Sequence, residues 1–135
     1  MSKPEQTMCT KPGEFSWNEL VTTNSQSSGE FYGKLFGWKP TPFKAGADAP
    51  PYTLFKMDGN EMGVGGMMQA QHPGTPTMWV PYVVVTDVDA SLAKAAKLGA
   101  KTIIPVMSIG EVGRIAVIQD PQGATLGLHE FPKGM

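Results

Sequence analysis

Phe15-Ser-Trp-Asn-Glu-Leu-Val21, followed a few residues later by Ser27-Ser-Gly-Glu-Phe-Tyr-Gly-Lys-Leu-Phe-Gly-Trp38, reads as a strand that feeds a short helix closed by Gly37. Alternation along the strand sends Phe15, Trp17, Glu19 and Val21 one way and Ser16, Asn18, Leu20 and Thr22 the other. A carboxylate on the side that also carries two aromatics is chemically odd and marks Glu19 for attention. The helix is expected to start at Ser27, with Glu30 three residues on completing a reciprocal cap. Its apolar face is expected to be Phe31 and Leu35, flanked by Tyr32 and Phe36.

Outward from this stretch, the same order of elements occurs twice. In the first pass, Lys39 to Lys44 is an edge-like strand interrupted by Pro40 and Pro42. Ala45 to Pro51 is a loop, and two strands then meet about Asp58-Gly59-Asn60. A Pro/Gly linker leads to the second pass, which opens with the strand Trp79 to Val85 and a helix capped by Asp87 or Asp89 and ended by Gly99. A strand from Thr102 to Met107 follows, and two more flank Asp120-Pro121-Gln122-Gly123. One constant shift superposes Trp17 on Trp79, Gly37 on Gly99, Asp58 on Asp120 and Gly65 on Gly127, which marks an internal repeat. The expected organisation is a loose arm over 1–13 and a single domain over 14–135, made of modules 14–69 and 78–131 with the linker 70–77 between them.

Composition narrows the function classes. The chain has 135 residues, a formal net charge of -1, 16 glycines and 12 prolines, which suits many turns and short strands. No basic run offers a nucleic-acid footprint, and no apolar run is long enough to span a bilayer, so neither nucleic acid nor membrane is an expected partner. The single cysteine, Cys9, excludes an internal disulfide. A cytoplasmic location is the resulting expectation.

The strand and the motif Phe31-Tyr32-x-x-Leu35-Phe36-Gly37-Trp38 resemble the opening of a module of the vicinal-oxygen-chelate superfamily, which holds glyoxalase I, bleomycin-resistance proteins and extradiol dioxygenases. The closest likeness is to glyoxalase-like proteins often labelled hydroxylase or antigen. The resemblance implies an α+β fold of two tandem βαβββ modules forming a cupped mixed sheet, and a homodimer. It also implies where metal ligands belong, one on the first and one on the last strand of each module. Those positions fall on Trp17, on Gly65 or Gly66, on Pro81 or Val80, and on Gly127, none of which can bind a metal. No metal and no cofactor is therefore expected.

The candidate site is drawn from the residues that remain. Pairing across the Asp120 to Gly123 turn is expected to put Arg114 opposite His129, so that Glu19, Arg114 and His129 meet on one inner wall. The three then read as a buried structural Glu19–Arg114 pair with His129 near a rim, as a base, Glu19, beside Arg114 and His129 that recognise a carboxylate or enolate oxygen, or as a metal held by Glu19 and His129 with water. Trp17, Tyr52, Met67, Trp79 and Met107 are expected to line an apolar cup, with Gly63, Gly65 and Gly127 keeping it open. The leading reading is a metal-independent protein that binds a compact aromatic or carbonyl compound. The alternatives are a glyoxalase-type lyase or isomerase with Glu19 as its base, and an association subunit whose cup is vestigial.

Overall fold

The computed structural model describes residues 10–44 and 51–132, so the expected loop over 45–51 apart from Pro51, most of the N-terminal arm and Cys9 lie outside the described residues. The elements run β1 (Phe15–Thr22), α1 (Ser25–Phe36), β2 (Lys39–Phe43), β3 (Tyr52–Met57), β4 (Asn60–Gln69), β5 (Met78–Val84), α2 (Val88–Lys97), β6 (Lys101–Ser108), β7 (Arg114–Gln119) and β8 (Thr125–Glu130). This is α+β with the βαβββ order present twice. The chain divides into two compact units: Trp17–Val80, and Pro81 onward together with the segment that ends at Ser16.

In the first unit the strands lie in the order β2-β3-β4-β1, with β1 parallel to β4 and the other neighbours antiparallel. The two-residue Asp58-Gly59 turn joins β3 to β4, pairing Met57 with Asn60, and Gly59 takes the left-handed φ of 82° that such turns require. Helix α1 starts earlier than the Ser27 cap would have it. Asn24, extended at φ -147°, accepts from the Ser27 N–H at 3.1 Å and is the true cap. The helix stops at Gly37, left-handed at φ 79°.

The packing face of α1 differs from the expectation. Gly29 is buried, while Phe31, Leu35 and Phe36 are 58%, 57% and 53% exposed. Glycine lets the helix backbone close on the sheet, and Tyr32 reaches the core cluster of Leu20, Phe55 and Met67, joined there by Trp38 and Val64. Trp79 completes an aromatic group around Tyr32, its ring 5.4 Å from Tyr32 and its Nε1 donating to the Tyr32 hydroxyl at 3.0 Å. Fully burying a side chain such as Phe55 contributes about 1.5–3 kcal/mol, so this cluster is what seats α1.

The second unit has the order β5-β8-β7-β6, again with one parallel pair, β5 and β8. Its core is Val88, Ala116, Ile118 and Leu128, packed by Leu92 and Ala95 of α2. Asp87 caps α2 through the Ala90 N–H at 3.1 Å. Here the helix is also pinned electrostatically. Glu130 Oε1 accepts from the Val88 N–H at 2.9 Å and from Arg114 at 2.8 Å, and Arg114 reaches Asp89 at 3.0 Å.

The β7–β8 register corrects the expected pairing. Arg114 lies opposite Glu130, and His129 lies opposite Ile115. The cause is the turn: Asp120 N–H bonds the Ala124 carbonyl at 2.7 Å, and Gly123 adopts φ 96°, so the loop holds one residue more than the four-residue turn. A one-residue slip exchanges the faces of a strand. Arg114, Ala116 and Ile118 accordingly share the α2-covered face with Leu126, Leu128 and Glu130, and His129 looks the other way.

Candidate functional site

Leu20 points into the cluster under α1, so Glu19, its neighbour in the strand, points to the opposite, helix-free face. It is 2% exposed and lies beside Gly66 of β4 in the parallel ladder. Tyr52 of β3 meets it there. The Trp17 Nε1–H donates to the Tyr52 hydroxyl at 2.7 Å, and since an indole N–H can only donate, the hydroxyl proton is left for the Glu19 carboxylate, to which Tyr52 is hydrogen-bonded. The result is a relay: indole to phenol to carboxylate. Burial, and then the Glu19 charge, push the phenol well above its ordinary pKa, so Tyr52 keeps its proton at neutral pH.

Gly66 makes this relay possible. A Cβ built there would lie 1.8 Å from the Tyr52 hydroxyl oxygen, so the phenol crosses the strand through space that any side chain would fill. Gly127 does the same in the second unit, where a Cβ would come within 2.3 Å of the Tyr82 ring. The expectation that glycines hold a cavity open is corrected at Gly127, whose space is taken by a tyrosine. Gly63, at φ 89°, and Gly65, whose Cβ would touch the Asn18 carbonyl at 3.0 Å, answer to backbone packing. Neither tyrosine–glycine match could be found from strand periodicity, and Tyr82 was not singled out at all.

The remaining expected residues separate. Met67 and Trp79 belong to the α1 side of the first unit and are not brought to Glu19. Arg114 is engaged by Glu130 and Asp89 on the α2 side of its own unit, so the expected Glu19–Arg114 pair and the Arg114–His129 group are both replaced. Met107 does share a ladder row with His129, each pairing with Ile115. His129 is 6% exposed, its Nε2 is 2.8 Å from the Val112 carbonyl, and its Nδ1 is 3.3 Å from Ser16 Oγ. Burial holds the imidazole below its ordinary pKa, against the smaller opposing effect of the Val112 carbonyl. A concavity of about 640 Å³ lies between α1 and β2, lined among others by Gly29, Trp38, Pro40 and Met67, on the face away from Glu19.

A resident divalent ion does not fit these residues. The space at Gly66 and Gly127 is filled by Tyr52 and Tyr82, and the Trp17 nitrogen is a donor only. Among the described residues no group of three or more His, Cys, Asp or Glu side chains could hold a metal. Nor, among the described residues, is any helix long and apolar enough to cross a membrane.

Comparison with known proteins places the chain. The family model for the glyoxalase/bleomycin resistance protein/dioxygenase superfamily matches residues 14–128. The chain belongs to this superfamily. Among curated members, CFP32 of Mycobacterium tuberculosis, named as a candidate glyoxylase, is 33% identical over 125 residues, covering 89% of this chain and 46% of CFP32. The anthracycline biosynthesis protein DnrV of Streptomyces peucetius is 30% identical over 129 residues, covering 87% of this chain and 46% of DnrV. The chain thus spans about half the length of these relatives. The glyoxalase-like fold is shared with methylmalonyl-CoA epimerase of Streptomyces coelicolor, at a TM-score of 0.55 and 15% identity over 90% of this chain and 99% of the other. A hypothetical protein of Bacillus halodurans has a TM-score of 0.57 and 10% identity over 93% and 99%.

Proposed function

We propose that this superfamily member binds a compact aromatic or carbonyl compound without a metal, on the Glu19 face of its first unit. The observation that carries the reading is the relay itself. A carboxylate only 2% exposed, reached by a protonated phenol, is a polar anchor in dry surroundings, and such anchors fix the orientation of otherwise apolar ligands. Trp17, half-buried and fixed through its Nε1, supplies a flat wall for stacking, worth about 0.5–1.5 kcal/mol beyond area burial. A ligand hydroxyl or enol would donate to Glu19.

The same pair supports a second reading, a lyase or isomerase acting next to a carbonyl. Glu19 would take the proton and Tyr52, held protonated, would steady the carboxylate. We take the working form to be a cytoplasmic homodimer. A second copy would cover the apolar side of α1 that Phe31, Leu35 and Phe36 expose.

Titration calorimetry with a panel of planar aromatic and conjugated carbonyl compounds tests the proposal. Saturable binding is expected, lost in Trp17→Ala and weakened at least tenfold in Glu19→Gln while both variants melt cooperatively. Binding unchanged in both variants would sink it. Turnover of a bound compound that disappears in Glu19→Gln would select the second reading.

A further inference from the structure

We propose that Ser16 and His129 form a Ser–His dyad in the second unit, with Ser16 Oγ acting as a nucleophile toward activated carboxylic esters. The argument begins at the imidazole. His129 Nε2 lies 2.8 Å from the Val112 carbonyl oxygen, which can only accept, so Nε2 carries the ring proton. Nδ1 then bears the lone pair, and it faces Ser16 Oγ at 3.3 Å. The hydroxyl proton has a competing acceptor in the Tyr82 carbonyl at 3.5 Å, which is farther away and far less basic than imidazole. A base whose tautomer is fixed on one side, and which meets a hydroxyl on the other, is the arrangement that activates serine for attack.

The surroundings hold this arrangement in place. Phe131 packs on the ring at a centroid distance of 4.5 Å and Tyr82 meets it edge-on at 6.5 Å. The Val112 carbonyl is set by a 3-10 turn between Gly110 and Gly113, and a Cβ at Gly113 would lie 2.1 Å from the Glu130 carbonyl, so only glycine permits the approach. Burial keeps the imidazole neutral at rest, so Nδ1 carries its lone pair before the attack. Ser16 is only half-buried, and its neighbour Phe15 is 67% exposed, so the serine sits at the solvent boundary of its unit.

The step balances without a further reactant. Ser16 Oγ attacks the ester carbonyl carbon as its proton passes to His129 Nδ1. The tetrahedral adduct then breaks its bond to the alcohol oxygen, which leaves with the proton from Nδ1, and the acyl group stays on Oγ. Water repeats the sequence, releasing the carboxylic acid and restoring the hydroxyl.

The test uses the full chain with p-nitrophenyl acetate and, separately, with a fluorophosphonate, an irreversible label for activated serines. p-Nitrophenolate release above buffer is expected, with the covalent adduct mapped to the peptide that contains Ser16. Ser16→Ala should lose both. His129→Gln, whose amide can still donate to the Val112 carbonyl, should label at least tenfold more slowly while keeping its melting temperature, and Ser28→Ala should label like the parent. No adduct, an adduct on another serine, or an unchanged rate in His129→Gln would overturn the dyad. Should His129→Gln melt early, labelling of the parent in urea decides instead: Ser16 activated by the fold stops reacting when unfolded, and equal labelling of folded and unfolded chain overturns the proposal.

Discussion

The two units share a topology and differ in almost everything that the topology carries. Each places a glycine of its last strand under a tyrosine ring, Gly66 under Tyr52 and Gly127 under Tyr82. Yet Tyr52 comes from β3 and keeps its hydroxyl for Glu19, whereas Tyr82 comes from β5 and is itself only 2% exposed. The helices are seated differently as well. α1 rests on the aromatic group of Tyr32, Trp38, Phe55 and Trp79, while α2 is pinned by Glu130, which joins its first turn to Arg114. A repeated backbone order therefore fixes where glycines are needed and leaves the chemistry of each face free to diverge.

The sharpest way to break this comparison is at the two glycines. Gly127→Ala drives a methyl into the buried Tyr82 ring, which has nowhere to go, and should destabilise by about 3 kcal/mol by the scale of overpacking. Gly66→Ala meets the hydroxyl end of a half-buried Tyr52 that can swing out, so its cost should be nearer 1 kcal/mol, with ligand binding lost instead. Urea melts of the two variants measure the difference. Equal losses would mean that the tyrosines do the same job in both units.

A smaller effect separates the helices. Glu130→Ala leaves the Val88 N–H buried without its acceptor, at a cost of about 1–3 kcal/mol. Arg114→Met should cost less, because the guanidinium is partly solvated and Glu130 keeps Val88. Chemical denaturation of both variants checks the order, and a larger loss in Arg114→Met would show that the ion pair, and not the helix contact, seats α2.

The smallest expected effect is the pH response of the second unit. His129 has a folded pKa below the ordinary 6.5, so the unfolded chain takes up its proton first as pH falls. Stability should therefore decline on acidification from about pH 6.5 down to the folded pKa, and His129→Gln should flatten that part of the profile. Thermal melts of both proteins between pH 7.5 and 5 provide the reading, and identical slopes would show that His129 does not titrate differently on folding.

The order of strands and helices, the Asp58-Gly59 hairpin, the Gly37 stop and a cap at Asp87 or Asp89 were all legible in the sequence, because each is settled by residues a few positions apart. The strand face of Glu19, opposite that of Leu20, follows from the same local alternation. What only the tertiary structure decided depends on partners far along the chain. Gly123 and Ala124 lengthened one turn by a residue, which moved Arg114 from His129 to Glu130 and turned it toward α2. Helix α1 turned Gly29 and Tyr32 inward and Phe31, Leu35 and Phe36 outward, because close approach to the sheet rewarded the smallest residue. Tyr52 found Glu19 across Gly66, and Ser16 found His129 at a sequence distance no local pattern spans. Local hydrogen bonding and periodicity write the elements, whereas register and the filling of space are settled only when strands distant in sequence pack together.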